Sequence, residues 1–105
     1  MIQLFKSLFG IGPKIDYKGM VQQGAVIIDV RTKEEFTSGH IKGSKNIPLN
    51  NINNNKNILS DKQKTYILCC ASGMRSGNAK NILKSKGYAS VHNAGSWRSL
   101  NNKLQ

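Results

Sequence analysis

Two short, nearly unbroken apolar runs, residues 25–30 (AVIIDV) and residues 65–69 (TYILC), constrain the fold of this chain more than any other feature. A strand with one wet face alternates polar with apolar residues, whereas these runs suit strands buried on both faces, as in a covered parallel sheet. Each run is followed by a helix signal. Thr32 and Glu35 fit the capping box of a helix that runs to about Ser38 and stops at Gly39. Residues 76–85 fit a helix with Ala79, Ile82 and Leu83 inward, Asn78, Lys80, Lys84 and Ser85 outward, and Gly87 beyond its end. An Asp16-capped helix over 16–23, short strands over 45–49 and 90–92 and a last helix over 97–101 complete the rhythm. Residues 50–57 (NNINNNKN) read as a loop or a short, poorly anchored helix. The expected fold class is α/β: a central, mainly parallel sheet between two helical layers.

A chain of 105 residues suits one domain, expected over 15–105, with residues 1–14 as an N-terminal extension. Within the extension Leu4, Phe5, Leu8 and Ile11 can form a helical stripe that docks on the domain or on a membrane surface. Its apolar residues are too interrupted for a signal peptide and too few for a transmembrane segment, so a soluble, cytoplasmic protein is expected. The two cysteines, Cys69 and Cys70, are neighbours and cannot make a disulfide framework; both are expected as free thiols.

The formal charge is +11, and all five acids (Asp16, Asp29, Glu34, Glu35, Asp61) precede residue 62. From Lys62 to Lys103 the chain carries basic residues without a single acid. Such a field attracts anions, either small oxyanions or an acidic protein partner, unless it merely solvates the surface. Nucleic acid is not expected, because no aromatic-interleaved basic motif accompanies the charge. His40 and His92 are far apart and lack CxxC or HxxxH companions, so neither a metal nor another cofactor is expected.

Ligands of such folds bind at the carboxyl ends of strands, which directs attention to CCASGMRSG, residues 69–77. Ala71, Ser72, Gly73 and Met74 are small or flexible enough for the chain to curl between the second strand and the following helix. Successive N–H groups facing one point, together with a helix N-terminus, make an anion site, and the same field favours thiolate over thiol at Cys70. Its pKa is expected below the free value of roughly 8.5, making Cys70 a nucleophile that needs no histidine base. Amides from Ala71 to Ser76 are expected to hold its anion, and Arg75 to bind a ligand or tie the loop down.

The segment Cys70-Ala71-Ser72-Gly73-Met74-Arg75-Ser76 resembles the active-site loop of the rhodanese family. A second match lies upstream, where IIDVRTKEEFTSGHIKGSKNIP, residues 27–48, resembles that family's Asp-Val-Arg segment and its Gly-His-Ile turn leading to Ile-Pro. The resemblance covers roughly residues 15 to 102 and implies a sulfurtransferase that carries sulfane sulfur as a persulfide on Cys70. It implies a small anionic donor such as thiosulfate, and cyanide or a thiol as acceptor. A sulfur-relay or docking module with little small-molecule turnover is the alternative. A phosphatase or arsenate reductase is disfavoured, because those relatives have one more residue between cysteine and arginine.

The remaining candidates have structural readings. Alternation along the strand sends Cys69 away from Cys70, as a packed thiol rather than a resolving one. Asp29 and Arg31 suit a buried ion pair or a turn cap, and in the resembling family these positions look architectural. His40 is expected to fix its loop by a hydrogen bond, His92 to sit in the core or on the surface, and Trp97 to cover the sheet. Ala94-Gly95 stands close before Trp97 where rhodaneses often carry a double glycine further upstream. Ala71, Ser72 and Met74 are uncharged where some members place basic residues.

Overall fold

The structure, a computed structural model, describes residues 14–105. Helix α1 (Tyr17–Gln22) leads into strand β1 (Val26–Asp29), helix α2 (Lys33–Ser38) and strand β2 (Lys45–Asn46). A 3-10 helix (Leu49–Asn54), strand β3 (Thr65–Cys70), helix α3 (Met74–Ser85), strand β4 (Ser90–Ser96) and helix α4 (Trp97–Lys103) follow. The four strands form one all-parallel sheet in the order β2-β1-β3-β4.

The apolar runs are buried on both faces because each feeds two separate packing layers. On one face Ile28, Val30, Tyr66, Leu68 and Cys70 meet Ala79 and Leu83 of α3 and Ile52 of the 3-10 helix. On the other Ile27, Ile67 and Cys69 meet Tyr17 of α1 and Leu100 of α4. Side chains alternate across a strand, so neighbouring residues of β3 serve opposite layers. Burying a Leu or Ile side chain contributes about 1.5–3 kcal/mol, enough for a handful of such residues per layer to fix the register. The sandwich of sheet between helical layers is the three-layer α/β/α fold.

Local capping follows the sequence. The Asp16 carboxylate accepts the Gly19 N–H at 2.9 Å at the start of α1. In α2 the Thr32 hydroxyl accepts the Glu35 N–H at 3.2 Å while Glu35 Oε1 accepts the Thr32 N–H at 3.1 Å, a closed capping box.

Several boundaries differ from expectation. Strand β3 includes Cys70, and α3 begins at Met74 rather than Ser76. Strand β2 is only two residues long; beyond it, Ile47 and Leu49 still donate their N–H groups to Asp29 and Val30. The asparagine-rich stretch is anchored, because Ile52, 3% exposed, turns into the core. Strand β4 continues past His92 to Ser96 through an irregularity: Leu68 pairs with Asn93 and Cys70 with Ser96, leaving two residues of β4 opposite Cys69. Gly95 adopts φ +80° at this bulge, a conformation an L side chain resists. The expected N-terminal stripe of Leu4, Phe5, Leu8 and Ile11 lies outside the described residues. Among the described residues no helix is long and apolar enough to cross a membrane.

Candidate active site

In the order β2-β1-β3-β4, chain progression reverses between β1 and β3, and the carboxyl ends of strands at such a switch point are where ligands of open α/β sheets bind. Both sequence segments of interest meet there. β1 ends at Asp29 and passes through Val30 and Arg31 into α2, while β3 ends at Cys70 and passes into the loop that starts α3.

Cys70 is 1% exposed, and its sulfur lies beneath the turn that follows it. The Gly73 N–H donates to Cys70 Sγ at 3.0 Å, and the Ser76 hydroxyl stands 3.4 Å from the same atom. Burial works against ionisation and is the largest single influence on this thiol. The Ser76 hydroxyl, its amide, and the amides of Gly73 and Ser72 together outweigh burial and hold the Cys70 pKa below its ordinary value. Cys69, on the opposite face, is pushed up to about 12, first by burial and then by the Asp29 charge. One thiol is prepared to ionise while its neighbour is not.

The turn itself requires glycine at position 73. Gly73 takes φ +102°, and a Cβ added there would stand 3.1 Å from Gly95 Cα on the β4 bulge. Asn93 braces this contact: its Nδ2 donates to the Gly73 carbonyl at 3.0 Å, and its Oδ1 accepts from the Gly95 N–H at 3.0 Å and the Ser76 hydroxyl at 2.6 Å. Asn93 escaped the sequence reading, which ended the last strand at His92. Its neighbour Gly95 was the available signal, since an isolated glycine in a strand often marks a bulge or a close backbone approach.

Ala71, Ser72 and Met74 have exposed side chains, and Met74 is 79% exposed at the start of α3. Arg75 reaches from α3 to α2 instead of facing the sulfur loop alone. Its Nη1 and Nη2 donate to Glu35 Oε1 and Oε2 at 2.7 and 3.0 Å, a two-pronged ion pair between α3 and α2. The Arg75 fork, aided by the Thr32 amide, holds the Glu35 carboxyl at about 2, while Glu35 in turn raises Arg75. The capping-box spacing identified Glu35 only as a capping residue; its second partner is 40 residues away along the chain.

Asp29 and Arg31 form a buried pair beneath the site. Arg31 Nη2 and Nε donate to the Asp29 carboxylate at 2.7 to 3.1 Å, and the Arg31 backbone N–H adds a bond at 3.0 Å. The guanidinium also donates to the carbonyls of Glu35 and Gly39 and lies 4.8 Å from the Trp97 ring centre. His40 stacks on Phe36 at 3.7 Å, with Nδ1 2.7 Å from the Phe36 carbonyl, so that nitrogen carries the proton. His92 lies on β4, partly buried, its pKa lowered by burial and then by Lys80 and Lys84. Among the described residues no group of three or more His, Cys, Asp or Glu side chains is placed to hold a metal ion.

Known proteins resemble this chain in sequence and fold. The thiosulfate sulfurtransferase PspE of Escherichia coli K12 is 38% identical over 74 residues, which are 70% of this chain and 71% of PspE. The uncharacterised YqhL of Bacillus subtilis 168 is 39% identical over 69 residues, 66% of this chain and 54% of that protein. The solved structure of the human single-domain sulfurtransferase TSTD1 superposes with a TM-score of 0.71 at 25% identity, covering 84% of this chain and 91% of TSTD1. The rhodanese-like domain matches residues 15–103, from α1 to the end of α4, and the chain therefore belongs to the rhodanese-like domain family.

Proposed function

We propose that this protein is a sulfurtransferase that carries sulfane sulfur on Cys70. The observation that supports this most directly is the Cys70 sulfur at the carboxyl end of β3, with the Gly73 N–H at 3.0 Å and a pKa below the ordinary thiol value. A thiolate held by amides is a nucleophile that keeps its anion without a base, and after transfer the same amides stabilise the persulfide anion.

The reaction is a double displacement. Cys70 thiolate attacks the outer sulfur of a donor such as thiosulfate; the sulfur–sulfur bond of the donor breaks, and sulfite leaves with the bonding pair. Cyanide or a thiolate then attacks the outer sulfur of the Cys70 persulfide, and the Cys70 thiolate leaves. No net oxidation occurs, and no cofactor is needed. The Ser72, Gly73 and Ser76 amides hold the anion, Arg75 orders the loop through Glu35, and Asp29, Arg31 and His40 support the segment that carries Glu35. The basic stretch after Asp61 suits an acidic protein as donor or acceptor. Free thiols at both cysteines suit a reducing compartment such as the cytoplasm.

Intact-mass measurement after exposure to thiosulfate tests the assignment. The protein is expected to gain the mass of one sulfur atom, lose it on addition of cyanide, and gain nothing as the Cys70→Ser variant. Sulfur retained by Cys70→Ser would overturn the role of Cys70. Hydrolysis of an aryl phosphate that depends on Cys70 would instead favour a phosphatase.

A further inference from the structure

The sequence 71–76 contains one cationic side chain, Arg75, and that cation is closed against Glu35 by two bonds. Both guanidinium ends that reach towards α2 are spent on a carboxylate, and the pair carries no net charge. The other side chains of the turn, Ala71, Ser72 and Met74, are uncharged and exposed, and Met74 offers an apolar surface at the start of α3. A doubly charged donor thus finds amides in the loop but no unpaired side-chain cation belonging to it.

We infer that Glu35 is a specificity-determining residue: by engaging Arg75 it disfavours doubly charged oxyanion donors and favours sulfur delivered as the persulfide of a thiol. This rests on the reading of Cys70 as the sulfur carrier. In the favoured reaction Cys70 thiolate attacks the outer sulfur of R–S–SH, the sulfur–sulfur bond of that persulfide breaks, and the thiolate R–S⁻ leaves with the bonding pair. The product Cys70–S–SH then loses its proton to solvent. Met74, exposed and uncharged at the start of α3, offers the R group an apolar contact and offers a sulfonate no charge.

Glu35→Gln separates charge from scaffold, because glutamine also closes a capping box with Thr32. The experiment compares kcat/KM for thiosulfate with kcat/KM for the persulfide of β-mercaptoethanol, in wild type and variant, at fixed ionic strength. Freeing one positive charge beside the loop that receives a dianion should raise the thiosulfate-to-persulfide ratio about tenfold. An unchanged or lower ratio would overturn the inference. Should Glu35→Gln fail to fold, the double variant Glu35→Gln with Arg75→Gln decides: it removes both charges of a pair that the inference treats as neutral towards the donor. An unchanged ratio there supports the inference, and a lowered one overturns it. Failure of the Cys70 assignment is separately visible, since neither donor would then load sulfur onto the wild-type protein by intact mass.

Discussion

Cys69 and Cys70 are adjacent in the chain, yet their side chains belong to opposite layers of the fold, Cys69 against Ile67 and Leu100 and Cys70 against Leu68 and Ala79. Their chemistry diverges with their surroundings: burial pushes Cys69 up to about 12, while the loop holds Cys70 below the ordinary thiol value.

Alkylation with iodoacetamide should therefore label Cys70 alone in the native protein, with a rate that rises with pH through a midpoint below that of an ordinary thiol. Peptide mapping of the label checks the site, and the pH series checks the midpoint. Labelling of Cys69 at a comparable rate would contradict the structure.

Asn93 braces the loop from β4, so Asn93→Ala should raise the midpoint of that pH series and reduce sulfur transfer about tenfold. That is the scale set by losing hydrogen bonds that orient the reacting group. Asn93 is exposed, and the urea midpoint should shift little. A variant with wild-type thiol reactivity would show that the Gly73 turn holds itself.

Gly73→Ala forces a side chain into φ +102° and toward Gly95 Cα. The expected cost is about 1–3 kcal/mol in stability, together with loss of transfer because the Gly73 amide moves off the sulfur. Chemical denaturation and a turnover assay report the two effects separately.

The buried Asp29 and Arg31 pair should behave differently from the exposed one. Asp29→Ala leaves a buried guanidinium without its carboxylate and should destabilise by about 3–5 kcal/mol, measured by urea unfolding.

Glu35 has its carboxyl depressed from 4.5 to about 2, so its ionisation stabilises the fold fully above 4.5 and progressively less as pH falls toward 2. The pair is more than a third exposed on its Glu35 side, and solvent screening keeps the effect small. The stability gap between wild type and Glu35→Gln should accordingly narrow as pH is lowered through that window. A gap independent of pH would mean that the charge of Glu35 adds nothing.

The sequence by itself determined the layers and placed Cys70 where a buried strand passes into its loop. Apolar runs at 25–30 and 65–69 are local, and so are the Thr32–Glu35 capping box and the cysteine-to-arginine spacing; each is legible without knowing what lies opposite. Only the tertiary structure decided how the loop is held. Asn93 reaches Gly73 and Ser76 because a bulge in β4 displaces the strand beside Cys70, and Glu35 reaches Arg75 because β1 and β3 are neighbours in the sheet. Such contacts depend on register and on the order of strands, which no window of the chain encodes locally. Periodicity can therefore say which face a residue takes, while the partner that sets its charge is chosen by the strand packed alongside.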